Sequence, residues 1–325
     1  MYNILFCSAG RRAALLKRIK QSLNARGNVL ATEISSTAPA LYFADKSYII
    51  PKLRDVNYMS TLLGICERDK IKAITTLIDP EITVLARNRS FFEKRNILLL
   101  TPSIKTAKLC FDKYLMFEYL SGNNINTIKT YSDIKKFIFD CKKNIINFPV
   151  FIKPRCGSGS VGAKKVHSMD EMKFYYYNES NVIIQEFMDG DDIDVDIYVD
   201  CISKEVISIF AKRKLETKIG GANKTISFKD ERLFDIIQRI NKKFNFYGPV
   251  DMDFFYKDNQ YYLSEINPRF GGSYIHAHDS GTDYVPFIIN NIQGIENTPV
   301  LGEYIDDTVM MMYDDIIIRK AEDLA

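Results

Sequence analysis

Two stretches of this 325-residue sequence combine residue types and spacing suited to polyphosphate and metal chemistry. The first runs Phe148-Pro149-Val150-Phe151-Ile152-Lys153-Pro154-Arg155-Cys156-Gly157-Ser158-Gly159-Ser160-Val161-Gly162-Ala163-Lys164. An apolar run reads as a strand that delivers Lys153, and a glycine- and serine-rich loop follows at once. Glycine lets backbone amides approach phosphate oxygens, while the lysine supplies a point charge at the polyphosphate. A flexible hairpin turn would have the same composition. The order is not that of a Walker loop, which needs Gly-Lys-Ser/Thr after its glycines, nor that of kinases, whose glycine loop precedes the strand lysine.

The second stretch places Asp253 in Val250-Asp251-Met252-Asp253-Phe254-Phe255, then Glu265 and Asn267 in Tyr262-Leu263-Ser264-Glu265-Ile266-Asn267-Pro268-Arg269. Glu265 and Asn267 are two apart, so on a strand their side chains share a face. Lys257-Asp258-Asn259 reads as a hairpin turn that brings Asp253 opposite them. Two carboxylates and an amide are hard oxygen donors, suited to one or two magnesium ions bridging phosphates. A lone acidic strand residue usually marks a solvated face. A trio flanked by Phe254, Phe255, Leu263 and Ile266 favours metal.

These residues need a scaffold, and the rest of the chain describes one. Hydrophobic residues make up 46% and charged residues 26%, the profile of a globular protein of two or three packed units. Lysine and arginine total 44 against 41 acids, and a formal charge of +3 is too small to make nucleic acid the principal partner. The six cysteines are scattered without a Cys-x-x-Cys pair, which argues against a zinc knuckle and a disulfide framework. No stretch reaches the length of a membrane span, and the N-terminus has the reverse of a signal peptide's charge order. A cytoplasmic location is expected.

The first hundred residues alternate short apolar strands with amphipathic helices, as in a doubly wound α/β domain. Ligands of such sheets sit beyond the C-terminal strand ends, here Ser8-Ala9-Gly10-Arg11-Arg12, Glu33 and Asp79-Pro80-Glu81. The Ser-Ala-Gly turn is open to two readings, an anion held on backbone amides or a tight turn with solvated arginines. A helix is expected over Ile104 to Leu120. Residues 121 to 190 read as a small α+β unit and a candidate lid. Strands and a helix from Asp230 to Phe244 follow.

On the lysine-plus-glycine loop and the Asp253, Glu265, Asn267, Arg269 set, most of the chain resembles the ATP-grasp superfamily, in particular short proteins similar to half of a carbamoyl phosphate synthase large subunit. The resemblance implies a pre-ATP-grasp α/β domain at 1–101, a two-part ATP-grasp domain at 102–300 with a mobile lid at about 121–190, and a C-terminal segment at 301–325. It further implies ATP with Mg2+, or Mn2+ in its place. Lys113 and Lys153 correspond to the family's two phosphate-binding lysines, with Gly157, Ser158, Gly159, Ser160 and Gly162 as the loop. Lys113 alone would read as a solvated helix-start residue. Glu186, Phe187 and Met188 would meet adenine and Asp192 the ribose, in a register left uncertain by the acidic run Asp191, Asp192, Asp194, Asp196. Arg269 would reach the transferred phosphoryl or acyl phosphate. Arg213 and Lys214 would add positive charge at the γ-phosphate or substrate carboxylate, or else form a solvated strand end. Gly271 to His278 should line the acceptor pocket, where a joint metal site for His276 and His278 lacks a third ligand.

The function implied is an ATP- and magnesium-dependent carboxylate-amine ligase acting through an acyl phosphate, with release of ADP and phosphate. Its partners would be a small-molecule carboxylate and an amine, with no nucleic acid and no membrane; the oligomeric state, a homodimer included, stays open. Two rivals remain: bicarbonate activation as in carbamoyl phosphate synthases, and a non-catalytic nucleotide-binding regulatory module.

Overall fold

A computed structural model describes residues 1–157, 159, 161–218 and 221–324; Ser158 and Ser160 of the glycine-serine loop lie outside the described residues. The N-terminal strands β1 (Asn3–Cys7), β2 (Val29–Glu33), β3 (Lys46–Ile49), β4 (Ile71–Thr76) and β5 (Leu98–Leu99) form a parallel sheet in the order β3-β2-β1-β4-β5. Helices α1 (Ala13–Leu23), α2 (Tyr58–Arg68), α3 (Asp79–Arg87) and α4 (Arg89–Glu93) accompany it. Alternate residues of β1 enter different cores: Leu5 and Cys7 pack with Leu62 and Leu85, whereas Ile4 and Phe6 join a core continuous with the second large sheet. A parallel strand covered on both faces therefore needs no polar side, which is why β1 is apolar without a break from Ile4 to Cys7.

Helices α5 (Ile104–Phe111) and α6 (Lys113–Gly122) follow. The expected single helix over 104–120 is interrupted at Asp112, whose backbone is extended (φ −108°, ψ 104°) and whose carboxylate accepts from the amides of Tyr114 and Leu115 at 3.1 and 3.0 Å. A short side-chain acceptor that caps a new helix competes with continuing the old one. The next unit comprises β6 (Thr130–Tyr131), α7 (Ile134–Lys142), β7 (Val150–Pro154), β8 (Lys164–Val166), α8 (Met169–Asn178) and β9 (Val182–Glu186). Its sheet runs β6-β9-β7-β8 and has its own small core around Phe137, Val150, Ile152 and Ile184.

The largest sheet is antiparallel and contains β10 (Asp191–Val199), β11 (Val206–Lys218), β12 (Gly221–Phe228), β13 (Gly248–Lys257), β14 (Gln260–Asn267) and β15 (Val309–Met311), in the order β14-β13-β10-β11-β12-β15. Helix α9 (Glu231–Asn241) begins at Asp230, whose side chain accepts from the Arg232 amide. Its apolar stripe of Leu233, Phe234, Ile237 and Ile240 is buried. Helices α10 (Tyr274–Asp279) and α11 (Val285–Ile292) close the chain's return toward the N-terminal domain. Among the described residues no helix is long and apolar enough to cross a membrane.

Because Tyr274 to Asp279 is helical, His276 and His278 do not share a face. His276 is buried, with Nδ1 2.7 Å from Thr225 Oγ1, Nε2 2.9 Å from Thr308 Oγ1 and its ring against Phe210. Burial pushes its pKa down to about 4, and the Lys212 cation adds to that push. The unfolded chain then binds the proton more tightly, so the stability that neutral His276 contributes is whole above about pH 6.5 and lost as pH falls toward 4. Thermal melts across that window should show the wild type losing stability more steeply than His276→Gln; parallel curves would contradict this account.

Candidate active site

Strand alternation turns one face of the largest sheet into a charged surface. Asp192, Asp194 and Asp196 on β10 share a side with Lys212 and Lys214 on β11, Asp251 and Asp253 on β13, and Glu265 and Asn267 on β14. The register sets acids beside cations: Asp194 pairs with Lys212 on one side and Asp253 on the other. Asp253 in turn pairs with Glu265, and Asp251 with Asn267. The hairpin turn at Lys257 to Gln260 thus sets Asp253 beside Glu265, with Asn267 one step along the same face opposite Asp251.

Each carboxylate of the trio has a lysine partner. Lys214 Nζ lies 2.6 Å from Asp253 and 2.9 Å from Asp192. Lys113 Nζ lies 3.3 Å from Glu265 and also donates to the Gly157 carbonyl. Burial pushes the Asp253 carboxyl up to about 6 against the pull of Lys214. Burial likewise pushes Lys153 down to about 8, with Glu265 drawing it up and Lys113 opposing. Asn267 Nδ2 donates to Asp251 at 3.2 Å, which leaves its amide oxygen for a cation. Two carboxylates and an amide oxygen fit a hard divalent ion.

Arg213 does not join this group. It lies between the two inward lysines, so alternation sends it to the opposite face, where it is exposed and 3.3 Å from Asp191. Lys212 takes the inward place instead. It is fully buried, paired with Asp194 at 2.9 Å and with Asp196, and sequence reasoning overlooked it. The signal was available, since Lys212 is two residues from Lys214 and shares its parity.

The loop reaches Lys113 through a local tie. Lys113 donates its amide to the Arg155 carbonyl at 3.0 Å, Arg155 Nε sits 2.8 Å from both Asp112 oxygens, and Asp112 forms a bridge with Cys156. The α6 start is thereby pinned against the glycine loop. Gly157, Gly159 and Gly162 all have positive φ, which a side chain would disfavour. At the far end of β9, Glu186 donates its amide to Lys129, Phe187 packs at 5.8 Å from Phe151 beneath Lys165, and Met188 is buried. Asp192 faces the site through Lys214.

The Asn267 to Gly271 segment is clasped by the N-terminal domain. Arg269 donates from Nε and Nη2 to Asp79 at 2.8 and 3.2 Å and from Nη1 to the Phe270 carbonyl at 3.1 Å. Arg12 donates to the Gly271 carbonyl. A Cβ at residue 271 would lie 2.3 Å from Asp196 Oδ1 and 2.8 Å from Asp251 Oδ1, so only glycine permits this approach. The Ser8-Ala9-Gly10 turn is a tight turn, with the Gly10 amide donating to Glu33 at 2.9 Å and the Ala9 amide to the Thr32 carbonyl. Of the two arginines that follow, only Arg11 is solvated, since Arg12 is bound to Gly271. At the turn itself the internal Glu33 carboxylate already occupies the place an anion would take. Between α3, α5 and β14 a crevice remains, lined by Asp79, Cys110, Phe111, Gly157, Glu265 and Asn267.

Residues 4–100 match the PylC-like N-terminal domain family, and residues 110–273 match the ATP-grasp domain family. The chain is 22% identical over 281 residues to a carbamoyl-phosphate synthase of Methanobrevibacter smithii, covering 82% of this chain and 74% of that protein. It is 24% identical over 259 residues to a D-alanine–D-alanine ligase of Campylobacter lari, covering 73% and 72%. Among solved structures, the biotin carboxylase domain dimer of Hydrogenobacter thermophilus 2-oxoglutarate carboxylase, in complex with MgADP, ADP and bicarbonate, superposes with a TM-score of 0.73 at 18% identity, covering 94% of this chain and 73% of that one. With the ATP-grasp match extending over half of its length, the chain belongs to the ATP-grasp family.

Proposed function

We propose that the chain is an ATP- and magnesium-dependent carboxylate-amine ligase that activates its carboxylate as an acyl phosphate. The observation that carries this reading is the meeting of Asp253, Glu265 and Asn267 with Lys113, Lys153 and Lys214 at one end of a crevice bordered by Arg269's partner Asp79. Asp253, Glu265 and Asn267 would hold magnesium, and manganese shares their oxygen preference. The bound ion supplies charge neutralisation at the phosphates. Each carboxylate carries a lysine partner, Lys113 at Glu265 and Lys214 at Asp253, and a bound cation would take over that charge pairing and leave the lysines for phosphate oxygens.

The protein's work is then positioning and electrostatics. Lys113 and Lys153 hold the polyphosphate with the amides of the 157–162 loop, Glu186 to Met188 border the adenine, and Asp192 serves the ribose. Arg269 stabilises charge on the phosphoryl group as the substrate carboxylate attacks in line. Closure of the unit at about 121–190 would keep water from the activated acid. A second reading keeps all of these groups but replaces the carboxylate by bicarbonate; it is favoured by the likeness to the carbamoyl-phosphate synthase and to the bicarbonate-bound biotin carboxylase domain.

Three measurements test this. Glu265→Gln keeps volume but deletes one charged donor, and turnover should fall about 100-fold or more with the fold intact; wild-type turnover would remove Glu265 from the metal set. Lys153→Ala should raise the ATP concentration needed for half-maximal rate by about 10-fold or more while His167→Ala changes it little. Equal effects would place the polyphosphate elsewhere. Finally, a panel of amino acids, peptides and sugar acids with Mg-ATP and hydroxylamine should yield a hydroxamate and ADP with the correct acid. Response to bicarbonate alone selects the second reading, and no ADP release with any acid sinks both.

A further inference from the structure

Asp79 belongs to the N-terminal domain, yet it holds a residue 190 positions further along the chain. It opens α3 directly beyond the C-terminal end of β4, and Pro80 follows in the first turn. Proline restricts the backbone there, and the helix dipole favours a negative charge at that end. The Asp79 carboxylate is therefore mounted on a stiff support. It meets Arg269 through two bonds, Nε to Oδ1 at 2.8 Å and Nη2 to Oδ2 at 3.2 Å, with the two side chains only 11% and 13% exposed. A paired fork of this kind sets the plane of the guanidinium as well as its place.

The remaining donors of Arg269 can be counted. A guanidinium has five N–H groups; two go to Asp79 and one, from Nη1, to the Phe270 carbonyl. One N–H on Nη1 and one on Nη2 are left. Asp251 approaches Nη1 at 3.8 Å, beyond hydrogen-bond reach. Asp79 itself lines the crevice that runs to Glu265, Asn267 and Gly157. The N-terminal domain thus grips one edge of the arginine while the two remaining donors belong to its outer end.

We propose that Asp79 is the positioning residue of Arg269, fixing the guanidinium so that its two remaining N–H groups meet the acyl phosphate. The anion in this statement rests on the ligase reading; the pairing does not. An ordinary interdomain ion pair would contribute to stability alone, whereas a positioning partner acts through Arg269 on the reaction.

The test is a double-mutant cycle in the full chain using Asp79→Asn and Arg269→Met. Asp79→Asn should lower kcat/KM for the activating acid by about 10- to 100-fold, the size seen when the supporting partner of a ligating group is removed. The dissociation constant for Mg-ATP should stay within about twofold, and in the Arg269→Met background the same change should cost less than about twofold. Asp79→Glu should recover part of the loss. Additive losses, or an unchanged kcat/KM in Asp79→Asn, overturn the proposal. A second readout needs no turnover: in protein carrying 15N-labelled arginine, the Arg269 Nε–H resonance, assigned by its loss in Arg269→Met, should be resolved and slow to exchange in the wild type. It should collapse toward the exposed arginines in Asp79→Asn. If no acid elicits ADP release the ligase reading fails, and a resonance unmoved by Asp79→Asn refutes the role of Asp79 separately.

Discussion

The architecture of the site depends on burying cations between carboxylates on four adjoining antiparallel strands. Carboxylate oxygens of Asp194, Asp196 and Asp251 lie within 4.8 Å of one another, and Lys212 stands among them with no exposed surface. Taking such charges from water costs several kcal/mol per ion unless partners repay it. Burial raises the Asp194 carboxyl, but Lys212 and Lys214 outweigh it and hold Asp194 at about 2, whereas burial prevails at Asp196, which stays at about 6. Despite burial, Asp194 and Asp196 hold Lys212, and Asp253 and Asp194 hold Lys214, above the usual lysine range. Loss of one central cation would leave uncompensated charge in the middle of the sheet.

The two large sheets communicate through that charged face. Phe6 of β1 lies 5.9 Å from Phe270, and the core containing Ile4 and Phe6 extends into the residues beneath β10 and β13. Strand ends that hold ligands in many doubly wound sheets serve a different purpose here: Arg12 binds the Gly271 carbonyl, Asp79 binds Arg269, and Glu33 closes its own domain's first turn. The N-terminal domain is joined to the rest of the chain by apolar packing and by polar clasps, two of which, Arg12 to Gly271 and Asp79 to Arg269, end on the segment directly after β14. A fold that otherwise presents loops to a ligand presents them to its neighbouring domain.

The elements most legible in the sequence were those governed by local periodicity. The βα alternation of the first hundred residues, the strand ending in Lys153 and the Asp253/Glu265 hairpin follow from period-two runs and turn residues, and all three recur in the structure. The break at Asp112 was hidden because its cap competes with a helical pattern that looks continuous from Ile104 to Leu120. His276 and His278 could share a face only on a strand, and the short helix over Tyr274–Asp279 keeps them apart. Arg213 and Lys214 are neighbours on a strand and so point apart, and the parity that turns Arg213 outward turns Lys212 inward.

The sequence alone carried most of the strands, with β3, β6, β12 and β15 emerging only in the fold, and it showed that lysines, glycines and oxygen donors suited to nucleotide and metal occur at spacings that strands and turns can unite. These are consequences of alternation and turn chemistry, which act over a few residues. Only the tertiary structure decided which charges pair. Lys113 with Glu265, Lys214 with Asp253 and Arg269 with Asp79 are separated by 152, 39 and 190 residues, and such contacts depend on how whole sheets pack. Coulomb attraction is long-ranged in space but carries no memory of sequence distance, so the partners of buried charges were settled by the packing that brought them together.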